Sequence, residues 1–598
     1  MNYHSGSLPT NFTPGGIVYM PRRFVLLSGM SLIGVLILAG CGSQGAASNA
    51  AAASGGTVVV AEAPQAPPNW FFPVFSASAY TEINAQIQFL MYRPLIYLTK
   101  RNQVDYAKSL ISRIRVNPQD DVYTLTLNHK YKWSNGRPIT AQDVVFTWNL
   151  IHAASQPHAP WVYGPTGSGG VPQDWKSVTA QGNNTVVVTL TKPVNPQWFI
   201  HNGLGQISPV PKSIWDKYPN NITQELNFIH SISNAPTNPH YDVVDGPFKF
   251  SSWAPNRYWA LVPNSKFGGH KASISKLVFQ YESSSSNEFA GLKKGLVNVG
   301  YLPPSLWNTR NQLSGDTLSR SYLFGFNYLI INMNAKAPGN MGPVFSKLYV
   351  RQALQMGINQ PGMIASMFHG AGVEEDGPIP PQPRTSLYDT ALNHNPYPYN
   401  LKAGKALLTS HGWHEVNGVM TRKGQKLSFI FNYASGSPTL SHVAQLLQSD
   451  WAQEGIEVKL QPMPINQVFS EDTQATPKKW NMGFWGAGWT YQLDYYPTGG
   501  NLFATNAGEN AGGYSNSTLD RLIQSTYQPG TSAQIRSRMD AYQEFLARHL
   551  PVLWMPWFPQ GYARMTGFSV HSNNVRGTVT TFNPVTDFLY ANYWTVSK

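Results

Sequence analysis

Apolar residues along this chain recur with two periods, and the switches between them mark its elements. Val58-Val59-Val60 reads as a buried strand, while 122–127 (Val-Tyr-Thr-Leu-Thr-Leu) and 185–190 (Thr-Val-Val-Val-Thr-Leu) alternate as half-buried strands do. Thr140 with Asp143 resembles a capping box, after which Val144, Trp148 and Ile151 share one helix face. Val350, Ala353, Leu354, Gly357 and Ile358 repeat at i, i+3, i+4, i+7 and i+8, which predicts a helix over 348–358 with one face in a core. Leu440, Val443, Ala444, Leu447 and Trp451 do the same as far as Gly455, and a strand-like 456–460 follows. Ile535, Met539, Tyr542 and Leu546 mark a further helix before the apolar Val552-Leu553-Trp554. Helix then strand, repeated, predicts an α/β architecture with sheets covered on their faces. Pro/Gly-rich loops at 163–172 and 376–383 divide these units, and no internal repeat is present.

One apolar run does not belong to a globular core. Residues 24–40 follow Arg22-Arg23 and end at Leu38-Ala39-Gly40-Cys41. A basic start, an apolar middle and small residues at the end describe an export signal, slightly short for a membrane span. Its last four residues resemble the bacterial lipobox, which implies that 1–40 is removed and that Cys41 is the lipid attachment site. The alternative is an uncleaved anchor helix with an incidental cysteine; either way the body lies outside the cytoplasm. Met20 is a second candidate start. Residues 41–56 are small and uncharged and read as a flexible tether with a reach of about 20 Å.

Composition narrows the rest. The chain has 598 residues, enough for more than one core, and 13% aromatics, too many for a disordered chain. A single cysteine excludes an internal disulfide and any zinc site needing two thiolates. A formal charge of +13 raises nucleic acid as a partner, but Lys and Arg cluster no further than pairs such as Lys293-Lys294 and Lys478-Lys479, so none is expected. The excess comes from a shortage of carboxylates, 30 in all. Removing 1–40 takes away only Arg22 and Arg23, so the imbalance belongs to the body. Few acids suit an acidic exterior, where carboxylates that must ionise lose their stabilising role.

Catalytic patterns are absent: no Gly-x-Ser-x-Gly, no His-Glu-x-x-His and no phosphate loop occurs. His411 and His414 beside Glu415 suggest metal, but their place around Gly412 at a helix end favours imidazoles set near terminal carbonyls. The clustered acids Glu374-Glu375-Asp376 and Glu471-Asp472 are candidates for glycoside hydrolysis and are read as solvated surface; a secreted hydrolase is a minor alternative. No metal or cofactor is expected.

Residues 123–148, YTLTLNHKYKWSNGRPITAQDVVFTW, resemble the signature segment of the extracytoplasmic solute-binding proteins of the oligopeptide and dipeptide ABC-importer receptors, solute-binding family 5. Asn135-Gly136, Pro138 and Thr140-Ala141 occupy its turn and cap. Asp245-Gly246-Pro247-Phe248 with Trp253, then 295–304 (Asn298 where Asp is usual), 326–334, 350–354, Gly377-Pro378-Ile379-Pro380, Asn395–Tyr399 and Gly412-Trp413 follow in order. The resemblance implies a two-lobed periplasmic-binding-protein-like fold of the large three-domain type, with a hinge-bordered cleft. Lobe 1 would comprise 57–96, 240–323 and the C-terminal return 564–598, with 97–239 as an inserted subdomain; lobe 2 would run over 324–563.

It further implies a monomeric, non-catalytic receptor, lipid-anchored at the outer face of the cell membrane, that hands oligopeptides to ABC permease subunits. Relatives of the same fold bind oligosaccharides, nickel chelates or haem, and these remain alternatives. Family receptors hold the ligand ammonium with an Asp after a Gly-Trp pair. Here that segment is 488–497, where the familial acidic position falls on Gln492 and Asp494 is the nearest carboxylate. Trp485, Trp489 and Tyr491 are candidates for an aromatic wall, Asn332 for a bond to ligand backbone, and Asn69-Trp70 for a cleft-facing loop. Each has a plainer reading: turn capping for Asp494, core for the aromatics, with 480–489 read as one alternating strand, a sheet-satisfied amide for Asn332, and a surface turn for Asn69-Trp70.

Overall fold

The computed structural model describes residues 55–62, 67–79, 81–492, 494–561 and 566–597. The export signal and Cys41 lie outside the described residues. Three sheets organise the body. A mixed seven-stranded sheet has the order Asp316–Ser319, Phe568–Ser572, Val299–Leu302, Thr57–Glu62, Lys276–Tyr281, Tyr258–Pro263, Phe248–Ala254. Thr57–Glu62 lies parallel to both its neighbours, as a strand reached by crossovers must. A four-stranded antiparallel sheet, Ile111–Val116, Val122–Leu127, Thr185–Leu190 and Trp175–Gln181, is formed wholly from the segment between the first and later strands of the larger sheet. Its two alternating strands bury every second residue, so their period-2 pattern is the sheet's buried face.

The third sheet has six strands. Gly325–Ile331 pairs antiparallel with Met482–Phe484, Trp489–Thr490 and Leu553–Met555, while Ser428–Ala434 and Glu457–Met463 run parallel beyond. All seven residues of Gly325–Ile331 are buried. Phe326, Tyr328 and Ile330 enter one hydrophobic cluster and Leu329 and Ile331 another, so this strand separates two cores. The helices that cover this sheet match the apolar periodicity. Leu348–Met356 ends at Gly357, one residue before the end of the apolar pattern, and Pro438–Gln453 packs Leu440, Val443, Ala444, Leu447 and Trp451 inward. The Thr140–Asp143 capping box is present on Ala141–Ala154.

Two local expectations change. The segment 480–489 is not one alternating strand: it breaks between Met482–Phe484 and Trp489–Thr490, where Gly486 and Gly488 take positive φ. A β-carbon on Gly488 would lie 2.2 Å from the Phe326 carbonyl oxygen, so only glycine permits that approach. The clustered acids are not all solvated either. Glu375 and Asp472 are buried, because Asn327 N–H donates to Glu375 (3.0 Å) and the Asn432 amide donates to Asp472 (2.7 Å). His411 caps Leu401–Ser410, its ring stacked on Tyr349 at 3.9 Å, which is the helix-end reading.

Candidate functional site

A cavity of about 520 Å³ opens between the strand Trp489–Thr490 with its flanking loops and a facing wall made of Thr81, Glu82, the 164–168 loop and Gln206. Pockets of about 300–1,000 Å³ suit small organic ligands. Its floor is set by local sequence. The glycines at 486 and 488 turn the chain so that Trp489–Thr490 lies against Gly325 and Phe326, and the loop that follows carries Gln492 and Asp494 to the cavity.

Asp494 is held from two sides. Its Oδ1 accepts from the Ser168 hydroxyl (3.0 Å) and from the Asn202 amide (2.5 Å), while its own N–H donates to Tyr491 O (3.2 Å) to close the turn. Asn202, fully buried, also donates to Tyr496 O and accepts from Tyr496 N–H, which fixes the loop beyond Asp494. Burial pushes the Asp494 carboxyl up to about 6, and the Ser168 bond opposes that rise. Across the cavity, Glu82 opens the helix Glu82–Met91 behind its N-cap Thr81, and its Oε1 accepts from the Thr490 hydroxyl at 3.3 Å.

Two further carboxylates line the same space. Asp472, at the end of Ile465–Glu471, is 4% exposed; one oxygen accepts from Asn432 and the other has no partner among the described residues. Desolvation raises its pKa to about 7, the Asn432 bond opposes the rise, and neighbouring Glu471 adds to it. Glu509, exposed at the rim, is shifted upward by desolvation as well. A chain with only 30 acids thus places four around one cavity, and among the described residues no Lys, Arg or His lines it. Such a set favours a positively charged occupant.

The remaining wall is aromatic. Trp485 stands edge-on to Tyr328 (5.1 Å) and beside Phe469 (5.6 Å), and its indole N–H donates to Gly488 O. The Trp489 indole N–H is buried at the cavity and has no acceptor among the described residues.

Of the residues singled out in the sequence, Trp485, Trp489, Gln492 and Asp494 line the cavity together. The others are placed elsewhere. Tyr491 is fully buried between Phe324 and Phe326, and its hydroxyl donates to Pro378 O at 2.6 Å. The Asn332 amide donates to Pro477 O and Trp480 O, both at 2.8 Å, so it is consumed within its own sheet region. Trp70 packs edge-on to Trp161, and Asn69 exchanges bonds with Asn84. Sequence reasoning missed Glu82, Ser168, Gln206, Asp472 and Glu509. The Gly-rich 163–172 loop and the Glu471-Asp472 pair were the available signals.

Comparisons with known proteins agree with this architecture. The model of the family described as bacterial extracellular solute-binding proteins, family 5 Middle, matches residues 105–510. The oligopeptide-binding protein AppA of Bacillus subtilis (strain 168) is 23% identical over 594 residues, covering 97% of this chain and 100% of AppA. The solved structure of Bacillus subtilis AppA with a nonapeptide superposes with a TM-score of 0.71 at 20% identity, over 91% of this chain and 99% of that one. NikZ from Campylobacter jejuni, solved with Ni(L-His), gives 0.71 at 20% identity over 90% and 99%. A family match over more than half the length, and a fold shared with these receptors nearly end to end, show that the chain belongs to the bacterial extracellular solute-binding proteins of family 5.

Proposed function

We propose that the protein is the extracytoplasmic receptor of an ABC importer, capturing oligopeptides without catalysis and passing them to the permease subunits. The observation that carries this reading is the cavity with four carboxylates and, among the described residues that line it, no cation. An oligopeptide brings an α-ammonium, which is costly to bury without a counter-charge, and a run of amides that need partners. Asp494 supplies the first and the Trp489 indole N–H one of the second. Haem propionates or an anionic chelate would add negative charge to a space already crowded with it.

Closure would occur between a first lobe of 57–96, 240–323 and 564–598, carrying the inserted 97–239, and a second lobe of 324–563. Strand membership supports this division, since the seven- and six-stranded sheets draw on those segments separately. The described chain before the second crossing lies beside the first: Gln560 N–H donates to Ser321 O and the Trp557 indole N–H to Leu323 O, both at 2.8 Å. A hinge needs only a few such residues to absorb the rotation. In this reading the monomer is tethered to the outer face of the membrane through lipidated Cys41.

Calorimetric titration tests the reading with short peptides bearing a free amino terminus, their N-acetylated counterparts and cello-oligosaccharides. Free-terminus peptides should bind, and Asp494→Asn should weaken them by about 30-fold or more, the scale for losing one member of a desolvated charge pair, with far less effect on acetylated peptides. No heat from any peptide would sink the proposal, and equal losses for both peptide forms would remove Asp494 from ammonium recognition.

A further inference from the structure

Asp494 accounts for one positive charge, yet the cavity holds acids that a single ammonium does not use. Asp472 is the most telling of them. It is almost wholly buried, lines the cavity, and keeps one carboxyl oxygen without a partner among the described residues, although buried carboxylates are normally paired. The nearest basic residues in sequence do not serve it. Lys479 pairs with Glu471 at 3.4 Å, and Glu471 also accepts from Gln467 at 3.1 Å, so the neighbouring acid takes the local cation. Asn432, the partner Asp472 does have, is neutral.

The surroundings share one chemistry. Glu509 reaches the same cavity from the 508–511 loop and acts electrostatically on Tyr328. Tyr328, Trp485 and Phe469 stand in a connected edge-to-face row, and Phe469 is 52% exposed, a large aromatic left open at the rim. Aromatic faces beside carboxylates attract an organic cation through both its charge and its alkyl stem. The titratable groups identified around the site, Glu471 included, are acids or the Tyr328 phenol; Lys479 lies beyond Glu471.

We propose that Asp472 and Glu509, with Phe469, Trp485 and Tyr328, form a second cation subsite that takes a lysine or arginine side chain of the bound peptide, so that the receptor selects basic peptides. The proposal rests on the peptide reading above and adds to it a preference that this reading alone does not require.

A panel of free-terminus pentapeptides of alanine tests it, with lysine, arginine, norleucine or glutamate at each position in turn. It is titrated against the wild-type protein, Glu509→Gln and the pair Asp472→Asn with Glu509→Gln. At one position the wild type should bind the lysine and arginine peptides at least about tenfold tighter than the norleucine peptide, the factor that about 1.4 kcal/mol of differential binding supplies, and the glutamate peptide most weakly. The double variant should lose that ratio, and Glu509→Gln, at the rim, should lose part of it. Norleucine binding as tight as lysine binding at every position in the wild type would overturn the subsite and leave the peptide reading standing. So would a double variant that keeps the ratio. Failure of every peptide to bind would remove both readings.

Discussion

Glu454 gives the sharpest physical test of how this acid-poor chain uses its carboxylates. It caps Pro438–Gln453, is 0% exposed, and neither carboxyl oxygen has a hydrogen-bond partner among the described residues. It presses on the facing helix Leu401–Ser410 at Gly404, where a β-carbon would come within 2.4 Å of its Oε1. Burial, with Asp450 adding to it, lifts its pKa from the ordinary 4.5 to about 9, and the phenol of Tyr399 also faces this pair. Between those two values the folded state holds a proton that the unfolded chain has released. Stability must therefore fall as pH rises, by about 1.4 kcal/mol per pH unit, and the penalty is absent at pH 4. Glu454→Gln mimics the protonated form at every pH and removes this slope. The stability advantage of the variant over the wild type should grow by about 4 kcal/mol between pH 5 and pH 8. Urea unfolding at four pH values, with equal m-values required of both proteins, measures it. Any constant offset from the amide cancels in the difference, so an advantage that does not change with pH would refute the reasoning.

Two further substitutions separate structural from ligand-facing roles. Gly488→Ala puts a β-carbon at positive φ and against the Phe326 carbonyl, so it should lower the melting temperature by several degrees, a cost of at least about 1–3 kcal/mol, whereas Ala487→Gly next to it should cost less than half as much. Tyr491→Phe leaves the buried Pro378 carbonyl without its donor and should cost about 1–2 kcal/mol in urea unfolding, while peptide affinity measured by calorimetry stays within twofold. A large affinity loss without a stability loss would restore Tyr491 to the ligand wall.

The elements were legible in the sequence wherever one face is buried. The strands at 122–127 and 185–190 and the helix through Leu440 and Trp451 carry their burial as a period, and the capping box at Thr140 announces a helix start from four residues. The site was half legible. The Gly-Trp pair led to Trp489, Gln492 and Asp494 through the resemblance of 488–497 to the family segment. Asp472 was not, since its burial depends on Asn432, 40 positions away, and two adjacent acids look alike whether solvated or enclosed. Ser168 reaches Asp494 across 326 positions, and nothing in a Gly-rich loop announces such a partner. Asn332 was a candidate for a bond to ligand backbone and Tyr491 for an aromatic wall; in the fold, nearby backbone carbonyls take their donors first.

The net charge of +13 has the wrong sign for a cationic cargo, and distance resolves the conflict. At physiological ionic strength the field of exposed lysines and arginines is screened over about 8 Å, so the body as a whole neither attracts nor strongly repels a peptide beyond that range. Inside a cavity with low-dielectric walls the four carboxylates are screened much less, and their field is concentrated where the ligand sits. The same confinement raises the pKa of Asp494 and Asp472 towards neutrality, so an arriving ammonium competes with a proton for each. Under the proposed function, cation capture in the cleft should weaken as pH falls below about 6 to 7, while the destabilising contribution of Glu454 shrinks over the same range. A receptor built this way would hold its cargo near neutral pH and discharge its cleft in acid. That division of labour needs few acids, provided they are placed inside rather than on the surface.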